Sequence, residues 1–484
     1  MVDTTVEIAA DDPEELVHEY VGEMATHEAF SGPIRLMPDV HPEVNSRTLV
    51  GFTMPFNGKA VPSVIGSDLG CGVTSWHIGP RSDLRFGRET MDARIREAVP
   101  MGIGVYNNGE YHLKNDFPWD ELHNKFHRLK QTMGEHGIDL TLDDHTPNGQ
   151  YDIEYVKELS ERVQISLNDV IGGIGSLGAG NHFIEFGADS DDDTWVTVHS
   201  GSRGIGGSVA DYWMDQAHDL RSDEADRVRN HFVEFPKEHF TQDYDQLTDD
   251  ELLSWVQGGW GEDFVDIDQI KADYLDTDPH RIESEHQAMK DVLPINTEGH
   301  PWDYLDGQEM TGYLVDMLFA QHYAATNRRE ILRLTCDAIE ATKTDEIHSP
   351  HNYIDYDDAI IRKGATPARE GERGVVPMNM GYGVLWIEGT GATEWNDSAP
   401  HGAGRPRSRS DSFDMLDTDE FMTEMADLDV YSSSIGQNTL DESPSAYKDP
   451  EGIVTNIAPM ATVVDRFVPF LSIKGQPADW RVAL

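Results

Sequence analysis

The chain has 484 residues with 89 Asp and Glu against 37 Lys and Arg, which gives a formal net charge of −52. Its hydrophobic share of 38% lies below the usual share of about 45–50%. However, the 10 Trp, 16 Tyr and 17 Phe exclude a disordered acidic chain, which lacks the aromatic residues needed for a core. We expect a folded protein with a carboxylate-rich surface, suited to a salt-loving (halophilic) cytoplasm where salt screens self-repulsion.

The cysteine content and the N-terminus indicate the cellular compartment. Two cysteines, Cys71 and Cys336, are too few for a disulfide scaffold of this size. The acidic start MVDTTVEIAADDPEE has no apolar run typical of a signal peptide. No stretch of about 18 apolar residues is present to cross a membrane. We therefore predict a cytoplasmic protein that is not associated with membranes.

The predicted elements follow one another without an internal repeat. A short helix is expected over about 13–26, glycine-broken strands over 47–78, and polar helices over 84–170. The apolar runs 182–186 and 195–199 predict a hairpin around an acidic loop. A polar, acidic, helix-rich segment spans 208–300, and three- and four-residue spacing predicts a long helix over 311–339. Short strands follow over 351–410, and FVPFLSIKG predicts a final strand.

Glycine-rich polar segments recur along the whole length, at 66–72, 175–182, 199–207, 377–383 and 401–405. This spread favours one catalytic domain over residues 1–484, rather than a string of modules. The segment 208–300 is then an acidic helical lobe or an insertion within that domain.

The loop GSDLGCG places Asp68 and Cys71 three residues apart. A carboxylate and a thiolate at this spacing, in a loop free to turn, can reach one metal ion. The alternative is a buried, inert cysteine beside a turn-forming aspartate.

The hairpin brings two histidines into consideration. If Phe186 faces Trp195, His182 faces His199, and directly opposed residues project to one face about 5 Å apart. Two imidazoles so placed could share a cation, although each could instead cap a strand end. His351, after Ser349-Pro350, is a further candidate. One carboxylate, one thiolate and three imidazoles suit Mn²⁺ or Zn²⁺ better than Mg²⁺ or Ca²⁺.

Basic residues within small-residue segments predict phosphate contacts. Arg203 lies in HSGSRGIGG, and HGAGRPRSRS contains Arg405, Arg407 and Arg409. Backbone amides and guanidinium groups of such loops bind anions, so a cationic groove could hold RNA inside an acidic shell. Further basic residues in RKGATPAREGERG are Arg362, Lys363, Arg369 and Arg373. The alternative is that these arginines form intramolecular ion pairs.

His401 opens the HGAG segment. Its imidazole is flanked by exposed amides and little steric bulk, which suits a nucleophile that must carry a phosphoryl group. Lys474, in SIKG, could approach a phosphate as a point charge.

Taken in order, these motifs resemble the RtcB family of RNA ligases. The matching strings, from about residue 37 to 475, are MPDVH, GSDLGCG, GSLGAGNHFIEF, VHSGSRGIG, AATNRREI, HNY, RKGATPARxGERGVVP, HGAGRPRSRS, AYKDPEGIV and FVPFLSIKG. The resemblance implies a mixed α/β (α+β) fold, with a β-core, flanking helices and a central catalytic cleft. It also implies that an RNA end with a 3′-phosphate or 2′,3′-cyclic phosphate is joined to a 5′-hydroxyl end.

The resemblance implies roles for particular residues. His401 would attack the α-phosphate of GTP and become guanylylated. Two Mn²⁺ ions, with Cys71 between them, would be held by Asp68, Cys71, His182, His199 and His351. The guanylate site would be lined by Asn181, His182, Phe183, Ile184, Glu185, His351, Asn352, Pro377, Asn379, Met380, His401, Gly402, Ala403, Gly404, Tyr447 and Lys474. RNA phosphates would contact Arg203, Arg405 and Arg409.

The chain departs from the family pattern in places that bear on nucleotide specificity. PEVNSRT follows MPDVH where the family has a glycine-rich run, and MNMGYGV places Asn379 and Val384 at two serine positions. Splicing of tRNA and RNA repair are both open as roles, and an archease-type activator is an expected partner. The alternatives are a metal-dependent phosphodiesterase or phosphatase without guanylylation, or a non-catalytic RNA-binding paralogue.

Overall fold

The computed structural model describes residues 4–44, 46–107, 111–221, 224–258, 263–293, 300–406 and 409–475. Arg407, in the predicted phosphate-binding segment, lies outside these residues. The chain divides into two compact units, one formed by Met1–Met214 with Tyr304–Leu484 and one by Asp215–Asp303. This division falls inside the eighth helix, near the start of the acidic segment 208–300 identified from the sequence.

The fold mixes helices and strands, as the sequence predicts. The helices are α1 Glu15–Met24, α2 Pro62–Ile65, α3 Arg88–Ala98, α4 Leu113–Asp116, α5 Trp119–Glu135, α6 Ile153–Arg162, α7 Leu167–Gly173, α8 Arg203–Arg221, α9 Glu224–Phe232, α10 Asp249–Val256, α11 Ile267–Tyr274, α12 Pro279–Lys290, α13 Gly307–Ile339, α14 Arg409–Met415, α15 Thr418–Asp427 and α16 Pro450–Asn456. The strands are β1 Val6–Ile8, β2 Ile34–Glu43, β3 Thr48–Pro55, β4 Gly72–Pro80, β5 Phe183–Ala188, β6 Asp193–Ser200, β7 Asp345–Pro350, β8 Tyr353–Ile354, β9 Ile360–Lys363, β10 Ala365–Pro367, β11 Arg373–Asn379, β12 Gly383–Gly389, β13 Ser398–Pro400 and β14 Ala461–Lys474.

Two sheets form the β-core of the larger unit. The first has the order β1-β2-β3-β9-β8, and the second has seven strands in the order β11-β12-β14-β5-β6-β4-β7. The backbone N–H of Val375 in β11 donates to Ser349 Oγ in β7 at 2.7 Å. Because this contact joins the two edge strands, the seven-stranded sheet nearly closes on itself.

One end of this second sheet gathers the residues singled out in the sequence. Strands β4 and β5 begin there, directly after Cys71 and His182, whereas β6 ends there one residue after His199 and β7 one residue before His351. Lys474 ends β14 and pairs with Phe183. Antiparallel pairing alternates strand starts and strand ends along each edge of a sheet. Segments far apart in the sequence therefore meet at one rim.

The long helix α13 covers the sheet and fixes its position. Its apolar side chains Ile331, Leu332 and Ile339 pack in one cluster with Ile184 and Val198 of the β5–β6 hairpin. The helix was predicted over 311–339 and extends from Gly307 to Ile339. Among the described residues, no helix combines the length and apolar character that a membrane span requires.

The predicted β5–β6 hairpin is present, but its predicted register is wrong by one residue. Phe183 pairs with His199 and Gly187 with Trp195, whereas the sequence interpretation set Phe186 opposite Trp195. The turn explains the shift. The Asp189 carboxylate accepts hydrogen bonds from Asp193 N at 2.9 Å and from Trp195 Nε1 at 2.9 Å. His182 consequently precedes the strand and does not face His199 across it.

The smaller unit has an apolar core of its own. Phe232, Trp255 and Phe264 lie at its centre, with Phe232 and Phe264 stacked at 5.5 Å between ring centroids. His239 is fully buried and contacts two carboxylates, those of Asp273 and Glu285, each at 2.8 Å. Helices α9 to α12 therefore fold around aromatic residues despite their acidic surfaces.

The packing of α13 generates a stability prediction. Leu318 is fully buried in this helix, whereas Leu16 in α1 is 36% exposed. Leu318→Ala should lower the free energy of unfolding by about 2–5 kcal/mol because it leaves a cavity. The matched Leu16→Ala should change it by no more than about 0.5 kcal/mol. Urea unfolding in molar KCl measures both, and equal losses would contradict the packing described.

Candidate functional site

The five predicted metal ligands converge at the rim of the seven-stranded sheet. Cys71 Sγ lies 3.2 Å from His199 Nε2 and 3.8 Å from His182 Nε2. His182 Nε2 is 3.1 Å from Asp68 Oδ2, and His199 Nε2 is 3.3 Å from His351 Nε2. The donor atoms form two triads that share the thiol, each compact enough for one ion: Cys71, His199 and His351, and Asp68, Cys71 and His182.

Hydrogen bonds at Nδ1 of two imidazoles determine which ring nitrogen faces the cluster. His182 Nδ1 is 3.1 Å from the carbonyl of Leu177, and His199 Nδ1 is 3.0 Å from the carbonyl of Asn181. A carbonyl only accepts, so each Nδ1 carries a proton and each Nε2 is the ring atom left to bind a metal ion. Nε2 of His182 faces the Asp68 carboxylate, and Nε2 of His199 faces the Cys71 thiol. Such electron-rich atoms are stable together when a cation lies between them, so the residues fit a divalent transition ion.

The protonation states agree with a ligand set. Burial, followed by the charges of neighbouring histidines, holds the pKa values of His199 and His351 well below the usual range, so both rings are neutral. Burial raises the pKa of Asp68, but the hydrogen bond and charge of His182 outweigh it and lower the pKa well below the usual value. Burial and the Asp68 charge raise the pKa of the Cys71 thiol. Metal binding would therefore displace the thiol proton.

Backbone and amide contacts hold the ligand loops together. The backbone N–H of His351 donates to the carbonyl of Cys71 at 2.7 Å. Asn352 Nδ2 donates to the carbonyl of Asp68 at 3.3 Å, and Asn352 Oδ1 accepts from Gly364 N at 2.9 Å. Asn352 adopts a positive φ of 63°, which asparagine tolerates better than most residues. This predicted nucleotide contact thus also connects the loop of Asp68, a predicted metal ligand, to the segment at Gly364.

The predicted nucleophile lies beside the ligand cluster. The rings of His401 and His351 are 4.8 Å apart between centroids. His401 Nδ1 is 2.7 Å from Asp39 Oδ2, which also accepts from Gly402 N at 3.1 Å. A carboxylate at Nδ1 fixes the ring and its tautomer, leaving a lone pair on Nε2. The same arrangement orients the histidine of a catalytic triad.

An irregular strand aims Asp39 at His401. The β2–β3 register is interrupted between Leu36 and His41, and Asp39 lies within this bulge. Opposite it, Gly51 has a φ of +85°, and a Cβ there would lie 3.0 Å from Val40 Cα. Only glycine suits such a backbone and so close an approach. Bulges of this kind redirect a side chain at many active sites.

Asp39 was missed as a functional residue in the sequence interpretation. Its motif MPDVH was recognised, yet no role was assigned, because the partner His401 is 362 residues away. Glu442 was missed for the same reason. No local spacing pattern links either carboxylate to the basic residue it contacts.

A largely buried network of three cations and two carboxylates lies among the predicted phosphate-binding residues, with Arg409 as its exposed member. Glu442 accepts from Lys474 Nζ at 2.6 Å and from Tyr447 Oη at 2.8 Å, and it also pairs with Arg405. Arg409 Nη1 lies 3.1 Å from Asp441 Oδ2. Burial raises the pKa of Glu442, but Lys474 and Arg405 outweigh it and lower the pKa to about 2. The network has one cation in excess, so it could still attract a phosphate.

The segment 181–185 borders both groups. Lys474 Nζ lies 5.3 Å from the ring centroid of Phe183, and burial raises the pKa of Glu185 to about 8. Asn181 offers its carbonyl to His199, as described above. Ile184 is fully buried in the apolar core, so only its backbone could meet a nucleotide.

The remaining predicted nucleotide contacts belong to the HGAG segment and to the segment 377–380. Gly402 approaches the carbonyl of Pro377, and Gly404 approaches that of Asp39. Ala403 and Met380 are buried in two apolar clusters. Asn379 Oδ1 accepts from Gly381 N at 3.0 Å and from Tyr382 N at 2.8 Å.

The two departures from the family pattern have different structural settings. The side-chain oxygen Oδ1 of Asn379 accepts the two hydrogen bonds just described, and these bonds hold a turn. Val384 pairs with Pro377 and packs with Val73 and Trp195 in the apolar interior. A serine hydroxyl at the Val384 backbone position would therefore face apolar side chains.

The predicted phosphate-binding arginines have unequal settings. Arg203 starts α8, and its Nε donates to Ser176 Oγ at 3.2 Å. In contrast, Arg362 is fully buried and pairs with Asp355 and Asp358, which also bind Arg369. Arg373 pairs with Asp345, and Lys363 Nζ lies 3.2 Å from Glu43. For this second basic segment, the alternative of intramolecular ion pairs describes the structure.

The buried network generates a pH-dependent prediction. Glu442→Gln leaves Lys474 and Arg405 without their counter-charge. It should therefore lower the free energy of unfolding by roughly 3–5 kcal/mol at pH 7. Because the folded-state pKa of Glu442 is about 2, below its usual value, the wild-type advantage is complete above about pH 4.5 and disappears as pH falls toward 2. Urea unfolding from pH 7 to 3 measures this difference. The exposed Glu388→Gln is the control, and a Glu442→Gln difference independent of pH would contradict the ion pairing.

Comparison with known proteins identifies the family. The family model described as "tRNA-splicing ligase RtcB" matches residues 21–248 and 269–475. The "RNA-splicing ligase RtcB" of Escherichia coli K12 is 23% identical over 470 residues, covering 91% of this chain and 90% of the relative. The Mycobacterium tuberculosis protein of that name is 23% identical over 497 residues, covering 91% and 96%. The "tRNA-splicing ligase RtcB" of Pyrobaculum aerophilum is 22% identical over 492 residues, covering 87% and 82%. The chain belongs to the RtcB family.

Proposed function

We propose that this chain, an RNA ligase by its family, joins a 3′-phosphate or 2′,3′-cyclic phosphate RNA end to a 5′-hydroxyl end through a guanylylated His401. GTP would donate the guanylate, and two Mn²⁺ ions would occupy the two triads that share Cys71. The observation that carries the proposal is the adjacency of His401, oriented by Asp39, to the cluster of predicted metal ligands.

The first step is supported by the orientation of His401. With its Nδ1–H directed at Asp39, His401 Nε2 can attack the α-phosphorus of GTP, and the bond to pyrophosphate breaks. The imidazole becomes positively charged as the N–P bond forms, and the Asp39 carboxylate stabilises that charge. Bound divalent ions would supply Lewis-acid polarisation and charge neutralisation at the phosphates.

The next steps transfer the guanylate and seal the RNA. A 2′,3′-cyclic end would first be opened by water to the 3′-phosphate, with the 2′-oxygen leaving as a hydroxyl. The RNA 3′-phosphate attacks the phosphorus on His401, the N–P bond breaks, and the RNA end carries GMP on its 3′-phosphate. The 5′-hydroxyl oxygen then attacks the activated 3′-phosphate, its proton passes to solvent, and GMP leaves. Lys474, Arg405 and Arg409 would hold phosphate oxygens during these steps, while Arg203 would contact the RNA backbone.

The strongly negative chain can still bind RNA through this local charge. Electrostatic affinity for a polyanion depends on the cations at the site and on the salt concentration. Arg405, Arg409 and Lys474 outnumber their two carboxylate partners, Asp441 and Glu442. An archease-type activator, and a role in either splicing or repair, remain predictions from the family resemblance.

Labelling with α-³²P GTP tests the guanylylation directly. The wild type, incubated with Mn²⁺ in molar KCl, should retain label after denaturation, whereas His401→Ala should retain none because the acceptor nitrogen is gone. His136→Ala, which removes an exposed histidine after α5, should label normally. A wild type that never labels but opens a 2′,3′-cyclic phosphate would favour the phosphodiesterase alternative.

The role of Asp39 gives a second test. Asp39→Asn keeps the shape but removes the charge and allows the wrong His401 tautomer. Guanylylation should slow by about 10²–10⁴-fold, the usual range for a lost acid–base partner. Mn²⁺ affinity should stay within about twofold, because Asp39 is not among the ligands. An unchanged labelling rate would show that Asp39 does not orient the nucleophile.

A further inference from the structure

Two polar side chains of α13, Asn327 and Arg328, are fully buried behind the ligand cluster. The proposed reaction uses neither of them. They lie in a long buried helix, where an arginine is costly to bury without compensation. Their hydrogen bonds show what they do in this position.

Arg328 joins two of the strand ends that carry ligands. Its Nη1 donates to the carbonyl of Gly70 at 3.0 Å and to that of Ser200 at 2.7 Å. Gly70 immediately precedes Cys71, and Ser200 immediately follows His199. A single planar guanidinium group therefore fixes the spacing between the thiol and one of the imidazoles. Its Nε also donates to Thr74 Oγ1 in β4 at 3.2 Å.

Asn327 connects the third ligand-bearing loop to the same strand end. Its Oδ1 accepts from Gly175 N at 2.8 Å, and its Nδ2 lies 3.3 Å from the carbonyl of Ser176. The same Nδ2 lies 3.1 Å from the carbonyl of Gly201, which follows β6. The loop that starts at Gly175 continues to His182. One amide thus joins the loop of His182 to the strand end of His199.

The charge of Arg328 also has a counterpart in the cluster. Arg328 Nη2 is buried and has no hydrogen-bond partner among the described residues. Burial lowers the pKa of Arg328 to about 10, and the charges of Cys71 and Asp68 oppose this effect. A Cβ at Gly72 would lie 3.1 Å from Arg328 Cζ. The guanidinium therefore lies against the start of β4, behind the predicted ligands.

We propose that Arg328 and Asn327 are positioning residues that set the geometry of the metal ligands from behind, by fixing three ligand-bearing loops to one rigid helix. The inference rests on the proposed metal site and adds a specific structural origin for its affinity. Outer contacts of this kind, when lost, typically weaken metal binding by about 10–100-fold.

The test compares the Mn²⁺ affinity of variants at Arg328 and Asn327 with that of a control variant at the neighbouring Arg329. Arg328→Lys keeps the charge but cannot donate to both carbonyls, so the dissociation constant for Mn²⁺ should rise by about 10–100-fold. Asn327→Ala should have an effect of similar size. The matched control is Arg329→Lys, because Arg329 contacts Glu121 and Glu346 instead and should bind Mn²⁺ within about twofold of wild type.

Electron paramagnetic resonance of free Mn²⁺ measures the affinity of the full chain in molar KCl. Circular dichroism and the urea midpoint show which variants fold, and a folded variant with weakened binding supports positioning over a purely structural role. If Arg328→Lys does not fold, Asn327→Ala decides. For a destabilised variant, the rise in unfolding temperature caused by Mn²⁺ replaces the direct titration.

The outcomes separate this inference from the proposed function. A wild type that binds Mn²⁺, with Arg328→Lys and Asn327→Ala binding equally well, overturns the positioning role alone. A wild type that binds no Mn²⁺ overturns the proposed metal site, and the inference with it. Weakened binding in Arg329→Lys to the same degree would also overturn the specific role of Arg328.

Discussion

The structure depends on a crowding of electron-rich atoms that only a positive charge relieves. His182 Nε2 faces a carboxylate oxygen at 3.1 Å, and His199 Nε2 faces a thiol sulfur at 3.2 Å. Their Nδ1 atoms are occupied by carbonyl acceptors, so the rings cannot relieve the crowding by exchanging tautomers. Burial disfavours protonated imidazoles. The arrangement therefore fits the divalent cations of the proposed function.

The strand order of the seven-stranded sheet brings these atoms together. Alternating strand starts and ends bring four ligands to one rim of the seven-stranded sheet, and Asp68 lies in the loop that leads into β4. The proposed nucleophile, His401, comes from outside that sheet, after β13, and Asp39 reaches it from a bulge in the other sheet. The candidate site therefore lies where the two sheets of the larger unit meet. A rigid outer frame is what a precise ligand set requires.

Much of this could be predicted from the sequence, and the exceptions have physical reasons. The hairpin, the long helix and the five-ligand set follow from periodicity, spacing and family resemblance. The hairpin register could not be predicted, because the Asp189 side chain closes the turn and shifts every pair by one residue. Asp39 was missed because its partner His401 is 362 residues away. Glu442 was missed because its partners Arg405 and Lys474 are 37 and 32 residues away, too far for a local spacing pattern. Arg362 and Arg369 lie among glycines and alanines, yet nearby aspartates neutralise them.

Anomalous diffraction at the manganese edge, from crystals of the chain soaked in Mn²⁺, tests the central claim most directly. We expect two peaks, both in contact with Cys71 Sγ, one also bound by Asp68 and His182 and the other by His199 and His351. The Cys71→Ser variant should lose or weaken both peaks, because they share that ligand. A wild-type map with full Mn²⁺ peaks elsewhere, and none in this cluster, would contradict the account.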